Sequence, residues 1–93
     1  MEFEWDPTKA EANLRKHGVT FEFATAVFFD ANRLEHPDPG DHDGEERWLA
    51  VGLVNDIVLV VVFTLRQEAI RIISARRAER YEHIGYWTNQ IQA

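Results

Sequence analysis

RWLAVGLVNDIVLVVVFTLRQEAIRIISARRA, residues 47–78, decides the fold. Two apolar, β-branched runs, RWLAVGLV and IVLVVVFTL, flank Asn55-Asp56, a dipeptide suited to a two-residue hairpin connection. A second turn at residues 66–68 leads into AIRIIS, so three adjacent antiparallel strands are expected. By the two-residue period of a strand, Ile70, Ile72 and Ser74 should share one face while Arg71 and Ile73 share the other. The β-branched run ends at Ser74, and a last helix is expected from residue 76 to about 92, interrupted by Gly85. Arg76, Arg77 and Arg80 would then crowd the first turns of a helix, where cations oppose the dipole. A bound anion would explain that placement, because free N–H groups at a helix start and guanidinium forks together bind phosphate. The competing reading is that Arg77 and Arg80 are solvated and Arg76 pairs with Glu79 or Glu82.

Upstream, MEFEW alternates as a short strand. Asp6 followed by Pro7 starts a helix and Gly18 stops it, which places one helix over residues 7–17. Thr20 can cap a second helix from Phe21 to about Phe29, and a strand is expected over 32–35. Strands bracketed by helices, without strict alternation, indicate an α+β fold: an antiparallel β-sheet with two N-terminal helices and one C-terminal helix, packed on one face and leaving the other for a site.

Ninety-three residues, 45% of them hydrophobic, are enough for one domain spanning 1–93. The run IVLVVVF is far too short to span a bilayer and the N-terminus has no signal-peptide pattern, so no membrane association and a cytoplasmic location are expected. The chain has no cysteine, which excludes disulfides, a thiol nucleophile and thiolate metal sites. The formal charge of −6 is local: LEHPDPGDHDGEE, residues 34–46, holds six acids and no Lys or Arg, while the remaining ten acids match ten bases. Within 66–80, five arginines face two acids. The acidic segment includes His36 and His42, yet an EF-hand alignment puts Pro39 first and Ala50 twelfth, and there is no HExxH. No metal and no cofactor are expected; the segment reads as a solvated loop and a candidate contact for a basic partner. Trp5, Trp48 and Trp87 read as core or interface residues.

On the first helix Lys9, Asn13 and Lys16 fall in one arc, opposite a Pro7, Ala10 and Leu14 stripe, with His17 between them at the helix end. Histidine is the side chain that exchanges a proton near neutral pH, although Lys16 and His17 also suit a helix C-terminus on dipole grounds.

The ordered set FEWDPTKAEANLRKHGVTFEFA, Arg47 before Val51 and Gly52, VVVFTLR, IRIISARRA and the Glu82 to Tyr86 pair resembles the BrnT family of bacterial type II toxin–antitoxin toxins over nearly the whole chain. That resemblance implies a RelE-like fold and a ribonuclease that cleaves messenger RNA and inhibits translation. It also implies a tightly bound BrnA-like antitoxin that carries the DNA-binding element, so that operator DNA is reached only through the antitoxin. By position, Lys9, Asn13, Lys16 and His17 match the family's helix motif, and Arg47, Arg66, Ser74, Arg76 and Tyr86 its strand and last-helix positions. Attack of a ribose 2′-OH without metal needs a base, an acid and donors for growing negative charge. Lys16, His17, Arg66 and Arg76 are therefore the expected catalytic set, with Lys9, Asn13, Arg47, Ser74 and Tyr86 as substrate contacts, and these guanidiniums are expected to gather with the end of the first helix around one pocket. Docking on the ribosome is a further candidate, since the chain carries no net basicity. The rival is a non-catalytic or degenerate interaction module that binds an antitoxin and acts only in transcriptional autoregulation.

Overall fold

The computed structural model describes residues 1–40 and 42–92, the side chains of 90–92 excepted; Asp41, one of the six acids of the 34–46 segment, lies outside the described residues. The elements are β1 (Glu2–Glu4), α1 (Pro7–His17), α2 (Phe21–Ala24) continuing into a 3-10 segment (Thr25–Phe29), β2 (Leu34–Pro37), β3 (Trp48–Val54), β4 (Ile57–Arg66), β5 (Ala69–Arg77) and α3 (Arg80–Gln92). This is a mixed α+β arrangement of a five-stranded sheet and three helices. Strand order is β1-β5-β4-β3-β2.

Local chemistry explains most boundaries. Asp6 accepts from the Thr8 N–H at 2.8 Å, Pro7 opens α1, and Gly18 closes it in the left-handed region at φ 70 while donating to the Leu14 carbonyl. Thr20 caps Phe23 at 3.0 Å. Asn55 takes φ 55 in the two-residue turn between β3 and β4, and Gln67 takes φ 56 in the turn between β4 and β5. Gly52 lies where a Cβ would meet Val27 Cγ1 at 2.8 Å, so the missing side chain lets the 3-10 segment press onto β3.

Several expectations need correction. The sheet is mixed rather than wholly antiparallel, because β1 pairs parallel with β5 through Glu2–Ala69, Phe3–Ile70 and Glu4–Arg71. The helices do not share one face. Phe21, Ala24, Val27 and Phe28 pack on the side of Ala50, Leu59, Val61, Phe63, Ile72 and Ala75. Tyr86 of α3 packs instead with Val51, Val58 and Val60, the alternate positions on the opposite face. The strand expected over 32–35 is β2, two residues later, and only the first turn of the second helix is α-helical.

Two corrections bear on the site. β5 runs on to Arg77, so Arg76 and Arg77 are strand residues and Arg80 alone of the three opens α3. The register also slips between Val62 and Phe63: Phe63 pairs with Ile72, but Val62 pairs with Ser74. Ile73 is the extra residue of a β-bulge, which turns Ser74 to the face opposite Ile72. Ser74 and Arg76 therefore lie on the α3 side, beside Val62 and Val60, rather than with Ile70 and Ile72. Among the described residues no helix is long and apolar enough to cross a membrane.

Candidate nucleic-acid interface

Asn13 is 7% exposed whereas Leu14 is 45% exposed, the reverse of the apolar stripe expected on α1. The reason is the edge of β5. β1 covers only residues 69–71 of that strand, so among the described residues the backbone beyond the bulge has no partner strand on that side. The Asn13 carboxamide supplies the missing pairing. Its Nδ2 donates to the Ala75 carbonyl at 2.8 Å and to the Val19 carbonyl at 3.0 Å, and its Oδ1 accepts from the Ala75 N–H at 3.1 Å. One side chain thus mimics a strand residue and holds α1 along β5.

Lys9 and Lys16 stand four residues before and three after Asn13, so they share its flank of α1. Both are exposed, and His17 is half-buried at the helix end. Arg77 closes this seam: with Gly18, Val19, Thr20 and Phe23 it lines a cleft of about 310 Å³ beneath the α1–α2 connection. The sequence offers two readings of Arg77, a cation at a helix start completed by an anion or a solvated side chain, and neither places it beside the α1–α2 connection. Only the register, which pairs it with Leu59 on the face of α2, reveals the neighbourhood.

Arg76 is bound through both terminal nitrogens, Nη1 to Glu82 Oε1 at 2.7 Å and Nη2 to Oε2 at 2.9 Å. Glu82 also accepts from the Glu79 N–H at 2.8 Å, the reverse half of a capping box at the start of α3. The Arg76 hydrogen bonds hold the Glu82 carboxyl below its usual range, against the effect of its burial. The Arg76 side chain keeps 32% exposure.

The guanidiniums do not gather around a single pocket. Arg66 pairs with Ala69 at one end of the β4–β5 ladder, whereas Arg76 faces Val60, six residues away along β4, about 20 Å at the ordinary strand rise. Arg66 is bound to Glu45 at 3.0 Å, Arg47 stands 3.5 Å from the same carboxylate, and Arg71 is bound to Glu4 at 3.0 Å. Asn13 thus ties α1, which also carries Lys9, Lys16 and His17, to the part of β5 that bears Ser74, Arg76 and Arg77, with Ser74 and Arg76 on the face turned to α3. Arg47 and Arg66 stay at the other end.

Tyr86 is 2% exposed and its hydroxyl donates to Asp30 Oδ2 at 2.5 Å. Asp30 also accepts from the N–H groups of Leu53 and Asn32, both at 2.9 Å. Burial works to raise the Asp30 pKa, but the donors from Leu53, Tyr86 and Asn32 and the charge of Arg33 outweigh it and hold the carboxyl below its usual range. Burial first, then Asp30, pushes the Tyr86 phenol up to about 12. Tyr86 therefore fastens α3 to the sheet, and Asp30, which no motif flagged, is its anchor. The folded-state value exceeds the free value near 10, so this group's contribution to stability is intact below pH 10 and is lost as pH rises towards 12, at about 1.4 kcal/mol per pH unit. Denaturant titrations at pH 9 and pH 11 should show that slope in the wild type and a shallower one in Tyr86→Phe; equal slopes would contradict the assignment.

Residues 5–82 match the family model described as the ribonuclease toxin BrnT of type II toxin–antitoxin systems. No curated protein matches the chain. The match runs from Trp5 through α1, strands β2 to β5 and the Arg76 clamp to Glu82, and so covers most of the molecule. The chain belongs to the BrnT family, the ribonuclease toxins of type II toxin–antitoxin systems.

Proposed function

We propose that this chain is a RelE-like endoribonuclease that cuts messenger RNA in the cytoplasm, inhibits translation and is neutralised by a cognate BrnA-like antitoxin, with cleavage at the α1–β5 seam. The observation that carries this reading is the two-way pairing of Asn13 with Ala75, which sets the Lys9, Lys16 and His17 flank of α1 beside the strand that bears Ser74 and Arg76.

The reaction is an internal transesterification. The ribose 2′-oxygen attacks the adjacent phosphorus and loses its proton to a base; the 5′-oxygen leaves and takes a proton from an acid. The products are a 2′,3′-cyclic phosphate and a 5′-hydroxyl. Lys16 or His17 moves the proton. Arg76 holds the phosphate as negative charge builds, and its two parallel hydrogen bonds to the Glu82 carboxylate keep the guanidinium aimed. Ser74 and Lys9 position the RNA backbone. Arg66, about 20 Å from Arg76 along the sheet, and Arg47, which stands by the same Glu45 carboxylate as Arg66, cannot share that phosphate and are assigned to a more distant part of the same RNA strand. Docking on the translating ribosome is the alternative to cleavage of free RNA, and it suits a chain of net charge −6. Operator DNA is reached only through the antitoxin.

No metal enters this scheme. Purified protein incubated with RNA in excess chelator should cleave at its full rate and leave a cyclic phosphate at the 3′ end, identified by mass spectrometry; loss of cleavage under chelation would refute the scheme. Run with a translating extract beside naked RNA, the same assay reports ribosome dependence.

A second reading has its own support. The pairing of Arg66, Arg71 and Arg76 with Glu45, Glu4 and Glu82 suits a non-catalytic module whose charges are already satisfied. Such a module would bind antitoxin and take part in autoregulation without arresting growth. Induced expression of the chain alone separates the two: arrest selects the nuclease.

A further inference from the structure

Among the described side chains of α3, Tyr86 is buried, Glu82 is half-buried and the others are exposed. The two stand four residues apart and so project from one flank of the helix. They reach different strands. Tyr86 packs with Val51, Val58 and Val60, and its hydroxyl ends on Asp30 on the β3 side, whereas Glu82 grips Arg76 on β5. Strand β4 lies between, so α3 spans the sheet from one anchor to the other. Asp30 is itself fixed. β2 pairs with β3 only as far as Val51, so Leu53 lies past the end of β2, and its N–H donates to Asp30 Oδ2 at 2.9 Å. The same oxygen accepts from the Tyr86 hydroxyl, and Oδ1 accepts from the Asn32 N–H at 2.9 Å. Three donors from three segments therefore hold one carboxylate. The helix is weaker than its anchors, because Gly85 lies between Glu82 and Tyr86 and glycine disfavours a helix interior.

We propose that Asp30 is a positioning residue for RNA cleavage: through Tyr86 it fixes how α3 lies on the sheet, and so how Glu82 aims the Arg76 guanidinium. The inference rests on the reading that Arg76 clamps the scissile phosphate. Aim is decisive because the end-on pair uses one hydrogen on each Nη, which leaves donors for a phosphate only in the directions that Glu82 keeps open. Held by Glu82 alone, the helix would pivot about the ion pair and the guanidinium would turn with it. With Tyr86 fastened to Asp30, the pair has one orientation.

The test compares the wild type, Asp30→Asn and Tyr86→Phe, each established as folded by circular dichroism. A carboxamide has one oxygen to offer and sets an amide N–H against one of the three donors. Tyr86→Phe keeps the buried ring, removes the hydroxyl, and carries the test should Asp30→Asn not fold. The first measurement is nitrogen–proton NMR of the Arg76 guanidinium without RNA, assigned by its loss in Arg76→Lys. The wild type should give separate Nη signals, the mark of rotation hindered by two parallel bonds, and both variants should average them. The second is single-turnover cleavage. At saturation both variants should cut about tenfold more slowly, since misplacing a group by ~1 Å can cost up to ~10²-fold, with half-saturation little changed. In an Arg76→Ala background Asp30→Asn should slow cleavage no further, which a general loosening of the fold would not give. Nη signals that stay separate in the variants, cleavage at the wild-type rate, or an undiminished loss in the Arg76→Ala background overturns the proposal. A wild type that leaves RNA uncut rejects the nuclease reading and with it any role for Asp30 in cleavage, while averaged Nη signals would still show its hold on Arg76.

Discussion

Arg76→Ala should abolish growth arrest and slow RNA cleavage by about 10²–10³, the usual loss when one donor to a transition-state oxyanion is removed. The guanidinium is the half-exposed group on the Ser74 side of β5, and Glu82 fixes its orientation through both terminal nitrogens. Orientation matters because a donor already in place needs no reorganisation as charge develops. The substitution also leaves the Glu82 carboxylate, with 11% side-chain exposure, without its cation. A modest fall in stability is therefore expected, and cleavage has to be compared at a temperature where both proteins are folded. Arg76→Lys keeps the charge but not the fork, and should recover stability better than rate. The check is a single-turnover assay on RNA together with thermal melts and antitoxin binding. Full toxicity in Arg76→Ala would reject Arg76 as the phosphate clamp. There is a pH corollary. The Glu82 carboxyl is held below its usual range, so the clamp's contribution to stability is fully present above the ordinary carboxylate value and disappears as pH falls through the lowered one.

The largest effect on stability is expected at Asn13. Replacement by alanine strands the N–H and C=O of Ala75 and the Val19 carbonyl in buried surroundings. An unsatisfied buried polar group costs about 1–3 kcal/mol, so a total of about 3 kcal/mol is a conservative expectation. For a domain of this size that lowers the melting temperature by on the order of 15 °C. Asn13→Asp is a sharper probe. A carboxylate can still accept from the Ala75 N–H but cannot donate to either carbonyl, so it should remain well below wild-type stability. Urea denaturation measures both variants. A loss under about 1 kcal/mol in Asn13→Ala would show that the strand-like pairing does not hold α1, and would remove the geometric support for the seam.

Local signals read along the chain located most elements. The Asp6-Pro7 start and Gly18 stop of α1, the Thr20 cap, the Asn55-Asp56 turn and the three long strands all follow from short-range chemistry, because caps and tight turns are decided by neighbours within a few residues. The functional geometry was less legible. An amphipathic analysis of α1 assigns Leu14 inward and Asn13 outward, because it assumes that the buried face meets apolar side chains; here that face meets an unpaired strand edge, which needs a donor and an acceptor. Likewise the period of two along β5 fails at Ile73, since a bulge depends on the partner strand and leaves no mark in the alternation itself. Among the ion pairs, Glu82 with Arg76 was within reach of sequence reasoning, being six residues apart, while Arg71 with Glu4 spans 67 residues.

The sequence by itself determined the class of the protein: where most of the helices and strands fall, where the six surplus acids lie, and which ordered residues mark it as a BrnT toxin. Those properties are carried by residue type and short spacing. The tertiary structure alone decided which cations can act together. It placed Arg77 at the α1–α2 connection and Arg76 on the α3 side of the same strand, sent Arg66 to the far end of the sheet, and set α3 on the opposite face from α2, because register, bulge and edge pairing are properties of two strands meeting and not of either one.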